Sequence, residues 1–162
     1  MNYEVFLWSA MWTIMPIAEL RVGLPTALIG GIPLPVSFIY CVLINALVSP
    51  LVFLFLSTLH KLLIKWAFYA NFFEKIVKKA RIKIEKKVNK YGYLGLAFFV
   101  GIPLPVTGAY TGAIGAWVLG LEKKKTFIAI FLGLIISATI VTLAYYGVTL
   151  LGLEFLKIFY RV

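Results

Sequence analysis

The stretch GIPLPVTG, Gly101–Gly108, lies in the middle of a segment that carries no charge from Tyr91 to Leu121. Pro103 and Pro105 remove two backbone donors and disfavour helix in the residues before them. On its flanks, ten of the sixteen Lys and Arg residues fall between Lys61 and Lys90, and Lys123, Lys124 and Lys125 follow. The positive-inside rule puts both basic clusters on the cytoplasmic side. A single crossing between them would strand one cluster outside. A re-entrant hairpin enters and leaves on one side and satisfies both. The segment therefore reads as a half-helix over about Tyr93–Ile102, a broken tip, and a second half-helix over about Gly108–Leu119. Irregular backbone at membrane depth requires cover from protein or a wet cavity.

The start of the chain reads alike. Val5–Ala18 is apolar but short for a span, and it stops at Pro16-Ile17-Ala18-Glu19-Leu20-Arg21-Val22-Gly23-Leu24-Pro25. Two charges beside Pro16 and Pro25 predict a second broken hairpin over 1–34. Full spans are predicted over about Pro35–Leu59, kinked at Pro50, and over about Thr126–Leu151. About 20 apolar residues suffice for each. The result is two units, hairpin then span, of opposite topology, as in the inverted repeats of secondary transporters. Gly23, Thr26, Ile29 and Gly30 match Gly108, Thr111, Ile114 and Gly115 at an offset of 85. A second match, GIPLPV at Gly31–Val36 and at Gly101–Val106, has an offset of 70 and would pair a hairpin exit with a tip. This topology leaves Lys157 and Arg161 outside.

Between the units, residues 60–90 form a basic amphipathic helix or a pair of them. Leu62, Trp66, Tyr69, Phe73, Ile76, Val77, Ala80, Ile84 and Val88 recur every three or four residues, opposite a lysine-rich face. Such a helix lies in the cytoplasmic interface and meets membrane lipids. The fold class is thus all-α integral membrane, one domain over 1–162.

Composition narrows the chemistry. The chain is 62% hydrophobic, where soluble domains run near about 45–50%. Its acids are six glutamates, with no aspartate, one histidine (His60) and one cysteine (Cys41). That excludes an intrachain disulfide and a cysteine metal cluster, and argues against an enzyme. No metal or cofactor is expected. The +10 charge is membrane-proximal rather than a nucleic-acid signature.

Glu19 and Arg21 are the strongest functional pointers, because ionisable residues at membrane depth are costly. In a broken tip they pair or line one cavity. Arginine forks onto phosphate or carboxylate, and a shielded glutamate is suited to carrying a proton. The other reading is a surface loop with both charges in water. The second pointer is Pro103–Thr111, where a new half-helix presents free N–H groups to an anion. Thr107, Gly108 and Thr111 are the candidate substrate contacts there; close packing of small residues explains the same pattern. Asn45, Ser49, Ser137 and Thr139 are expected to hydrogen-bond between helices. His60 reads as an ordinary interfacial side chain.

Ala18-Glu19-Leu20-Arg21 with Gly23 and Pro25, together with Pro103-Leu104-Pro105-Val106-Thr107-Gly108-Ala109-Tyr110-Thr111-Gly112-Ala113, resembles the small multi-drug export protein family of prokaryotic membrane proteins. The resemblance covers nearly the full length. That family looks distantly related to the DedA-type proteins, which implies two facing re-entrant hairpins and a link to lipid transport and protons. It implies roles for Glu19, Arg21, Pro103, Pro105, Thr107 and Gly108, and a multi-pass place in a prokaryotic cell membrane.

Three functions compete. The first is a transporter or flippase for an anionic amphiphile such as a lipid phosphate, with Arg21, Thr107, Gly108 and Thr111 binding and Glu19 coupling to protons. The second is efflux of hydrophobic compounds in exchange for protons at Glu19. The third is a membrane scaffold without transport. The small size leaves room for a homodimer.

Overall fold

The computed structural model describes the backbone of residues 3–104 and 107–159, and the side chains of these except 61, 72, 79, 80, 83, 86, 87, 89 and 152–159. Every regular element among them is an α-helix: α1 (Tyr3–Ile14), α2 (Glu19–Ile29), α3 (Leu34–Ser57), α4 (Leu59–Leu63), α5 (Ala67–Gly101), α6 (Ala109–Val118) and α7 (Lys123–Phe159). Pro105, Val106 and Arg161, and the side chain of Lys157, fall outside the described residues.

Two helices are long and apolar enough to cross a bilayer, Leu34–Ser57 and Lys123–Leu151. At 24 residues, α3 is about 36 Å long, against about 30 Å of hydrocarbon. Both are apolar on two sides. On α3, Cys41, Val42 and Val48 are buried, while Ile39, Leu43, Leu47, Leu51 and Leu54 are exposed. On α7, Ile130, Leu134 and Ala138 are buried, and Ile128, Leu132 and Leu143 are exposed. A soluble helix turns a polar face to its solvent. These turn leucine and isoleucine outward, which fits lipid. Pro50 lies inside α3 and cannot bond the Ala46 carbonyl; the Ser49 hydroxyl donates to that carbonyl instead, at 3.0 Å.

Within α5, Gly92 has φ 58° and ψ −138°. Nothing lies within 4 Å of the place its Cβ would take, so backbone conformation and not crowding calls for glycine. The break separates the basic helix from a short apolar helix over 93–101. Helix α6 packs between α3, α5 and α7, and its inner face is small: Ala109, Gly112, Ala113, Gly115 and Ala116 are buried. Helix α2 packs against α1, α3 and α7, burying Leu20, Leu24 and Ala27.

Several expectations need correction. The first break is Met15–Ala18 and contains Pro16, but Pro25 breaks nothing: it lies inside α2. Proline fits helical φ and removes one hydrogen bond there, which neighbouring packing outweighs. Glu19 and Arg21 consequently stand in the first turn of α2 and not within the broken tip itself. Helix starts also disfavour both sequence offsets, since α2 opens at Glu19 and α6 at Ala109, 90 residues apart. On the basic helix, Ile84 is buried and Tyr69, Phe73, Ile76, Val77 and Val88 are half-buried, but Leu62 and Trp66 are exposed. The chain turns between α4 and α5, with Trp66 extended, so one periodicity does not run through both.

Candidate functional site

The break at Met15–Ala18 and the break between α5 and α6 face each other, and three side chains join them. The first is Glu19. Its N–H donates to the Met15 carbonyl at 3.0 Å, closing the turn, and its φ of 48° is left-handed, which a residue with a Cβ rarely adopts. Strain of this kind persists where the surroundings enforce it. The enforcing contact is at the side chain. The Ala109 N–H donates to Oε2 at 3.1 Å, and the Tyr110 N–H donates to Oε1 at 3.3 Å. The carboxylate thus caps the N-terminus of α6, where two N–H groups lack helical partners and the dipole favours an anion. It is 3% exposed.

Gly108 makes that approach possible. It has φ 137° and ψ −163°, a conformation open in practice to glycine alone, and any Cβ there would overlap the Glu19 carboxylate.

Arg21 is the second link. It is half-buried, and its Nη2 donates to the Thr107 carbonyl and to Thr107 Oγ1, the latter at 2.8 Å. The Thr107 hydroxyl in turn lies 2.7 Å from the Leu104 carbonyl and 2.8 Å from that of Ile102. One proton serves one of these at a time. The loop before α6 is therefore tied both to itself and to α2. The third link is the Tyr110 hydroxyl, which donates at 2.5 Å to the carbonyl of Ile14, the last residue of α1.

Glu19 and Arg21 are not an ion pair: among the described residues, those within 4.0 Å are Arg81–Glu85 and Lys125–Glu122. The two charges diverge to different partners on the second break. Thr111 is half-buried in the first turn of α6, with no hydrogen bond to this cluster among the described residues. Pro103 stands in the break between α5 and α6, half-buried. The anion expected at the start of α6 is present, but it belongs to the chain itself. No group of three or more metal-ligating side chains comes together among the described residues.

Asn45 departs from the interhelical hydrogen bonding expected of a polar residue in a span. It is fully buried on α3 with its amide beside the Glu19 carboxylate, close enough to favour the charged form, although neither Nδ2 nor Oδ1 makes a well-formed hydrogen bond. Ser49 and Thr139 bond carbonyls of their own helices, Ala46 and Ile135, because those lie within reach of a hydroxyl three or four residues on. His60 is more than an interfacial side chain. It is 8% exposed, its ring centroid is 4.1 Å from that of Phe73, Nδ1 is 3.1 Å from the Tyr69 hydroxyl, and Trp117 stands edge-on at 5.7 Å. Burial lowers its pKa from the ordinary histidine range.

A cavity of about 410 Å³ opens between α3, α5 and α6, lined by Val48, Leu51, Phe55, Tyr69, Phe73 and Tyr110 among others.

Two helices long and apolar enough to cross a bilayer suggest an α-helical membrane protein, and a buried carboxylate joins two breaks in its helical scaffold. Residues 19–140 match the family described as "Putative small multi-drug export protein". The match opens at Glu19 itself and takes in Arg21, Asn45, Thr107 and Gly108, and the chain belongs to this family of small multi-drug export proteins. No curated protein and no solved structure matches it.

Proposed function

We propose that the protein exports hydrophobic compounds across the membrane in exchange for protons carried by Glu19. The observation that supports this most directly is the Glu19 carboxylate, buried at the junction of the two breaks and held by the N-terminus of α6. Hydrogen bonds to an ionised acceptor are roughly twice as strong as neutral ones. Protonation of Glu19 therefore loosens the cap, and with it the grip of α2 on α6.

Helix lengths favour a re-entrant arrangement. Helices α1, α2 and α6 have 12, 11 and 10 residues, so each runs about 15–18 Å, near half the hydrocarbon thickness. Paired at a break, such helices enter and return, and their tips meet near mid-depth. With Lys61–Lys90 and Lys123–Lys125 held on the cytoplasmic side, the first hairpin enters from outside and the second from inside. The two units are then inverted, with α3 and α7 as their spans.

The apolar cavity suits the substrate. Its volume is that of a small-molecule site, and aromatic and aliphatic side chains line it. Tyr110 joins it to the proton site, since its ring lines the cavity and its N–H donates to Glu19. Filling the cavity and protonating Glu19 both act on α6, which is how one excludes the other.

A second reading keeps an anionic amphiphile as substrate. The start of α6 already holds an oxyanion beside Arg21, so the phosphate of a lipid could take the place of the carboxylate when Glu19 is neutral. The two readings separate in proteoliposomes. Export of a hydrophobic fluorescent dye, driven by a pH gradient, is expected from wild type and lost in Glu19→Gln. Gradient-driven dye export that survives this substitution, or no dye flux from folded protein, would overturn the exporter. Flux of a labelled lipid phosphate that needs Arg21 would establish the second reading instead.

A further inference from the structure

Among the described residues of the Glu19 cluster, Asn45 is the side chain whose amide makes no well-formed hydrogen bond, although it lies close enough to the carboxylate to favour its charged form. Both of its polar side-chain atoms are buried. Ser9 and Thr13 nearby are just as buried, but they donate to the carbonyls of Gly23 and Ser9. A buried amide without well-formed hydrogen bonds destabilises the fold. A leucine would fill the same space on α3 without that cost. The amide faces Glu19, and its chemistry suits a partner that changes protonation state. An amide carries both a donor and an acceptor, whereas a carboxylate only accepts and a carboxylic acid also donates.

We propose that Asn45 is the hydrogen-bond acceptor for the protonated form of Glu19, and so the residue that positions Glu19 when it leaves the N-terminus of α6. This rests on the reading of Glu19 as the proton carrier. In the charged state the carboxylate accepts from the Ala109 and Tyr110 N–H groups. A proton arriving from water forms an O–H bond on one carboxyl oxygen. That O–H donates to Asn45 Oδ1 on α3, and the two N–H groups of α6 lose their charged acceptor. The side chain has exchanged one helix for another. Loss of the proton to water on the other side reverses the exchange. The charged or titratable groups that face Glu19 are Arg21 on its own helix and Tyr110 on α6; α3 contributes the Asn45 amide. Arg21 is held at Thr107 in the charged state. It cannot accept a proton from the neutral acid, whereas Asn45 can serve as acceptor.

The test is infrared difference spectroscopy between acid and alkaline pH on reconstituted wild type, Glu19→Gln and Asn45→Leu. The carboxylic C=O band absent from Glu19→Gln belongs to Glu19. In wild type it is expected at the frequency of a hydrogen-bonded acid, and in Asn45→Leu at the higher frequency of a free one. Asn45→Leu is also expected to melt close to wild type, since it removes a buried amide that makes no well-formed hydrogen bond. Its gradient-driven export should fall about tenfold, the rate equivalent of one unsatisfied group in the protonated state. An unshifted band, or an Asn45→Leu protein that melts well below wild type, overturns the role of Asn45 while leaving Glu19 as carrier. Absence of a Glu19 band at any pH overturns both. A shifted band without dye export from wild type sustains the exchange of partners and overturns the exporter.

Discussion

The two breaks solve one problem with different residues. The first reverses the chain within Met15–Ala18 and pushes its irregularity onto Glu19, whose φ is 48°. The second spans Ile102–Gly108, spends two prolines and a glycine, and carries no charge. The first therefore supplies a carboxylate and a guanidinium. The second supplies backbone N–H groups, a carbonyl and a hydroxyl. Each leaves unsatisfied what the other provides, so neither break is self-sufficient. Removing a contributor from one side should damage the other.

The largest effect is expected at Glu19. Glu19→Ala leaves the Ala109 and Tyr110 N–H groups buried without an acceptor and should destabilise the protein by about 3 kcal/mol, read from unfolding in detergent. A protein that unfolds like wild type would show that the breaks do not depend on each other. Gly108→Ala attacks the same contact from the second break. Its Cβ would displace the carboxylate, and its backbone is strained, at a cost of about 2 kcal/mol. Combined with Glu19→Ala it should cost less than the sum, because the displaced carboxylate is already gone and only the backbone strain remains. Additive effects would mean that Gly108 serves only its own loop.

Arg21→Ala comes next. It frees the Thr107 carbonyl and hydroxyl from α2 but leaves the loop its bonds to Ile102 and Leu104. A half-buried charged donor of this kind is worth about 1.5 kcal/mol. Thr107→Val keeps the carbonyl and loses only the hydroxyl, for about 1 kcal/mol. If Thr107→Val proves the worse of the two, the loop's internal bonds matter more than its tie to α2.

This asymmetry explains what was legible in the sequence. The long apolar helices follow from charge-free length, and the break at Gly101–Gly108 from its prolines. Two charges beside prolines in an apolar region singled out Glu19 and Arg21. What could not be read is which partner each would take. The carboxylate meets backbone N–H groups 90 residues away, and backbone groups leave no mark in a sequence. The start of α6 was legible as an anion site, but not that the anion would come from the chain itself. Pro25 misled because proline lowers helix propensity without forbidding a helix whose packing is good. Gly92 carries no signal in the sequence, since a glycine looks like any packing glycine until its φ is known. Asn45 looked like every other polar residue in a span. Its interest lies in an amide without a well-formed hydrogen bond, which only the packed structure reveals.

The halves also meet a second time, away from the breaks, and there the contact is made of rings. His60 of α4 is packed by Tyr69 and Phe73 of α5 and by Trp117 of α6. If charge is what makes the breaks mutually dependent, this apolar contact should respond to pH only through His60, and weakly. Burial holds the folded pKa of His60 below its unfolded value, so the unfolded state binds the proton more readily. The stability gained from neutral His60 is then fully present above the unfolded pKa of about 6.5 and is lost as pH falls below it. The melting temperature should decline modestly between neutral and mildly acid pH, and His60→Phe, which keeps the ring stacking without the titration, should remove His60's share of that decline. An unchanged slope in His60→Phe would assign the whole acid sensitivity to the breaks, making the ring cluster a pH-independent hinge between the halves.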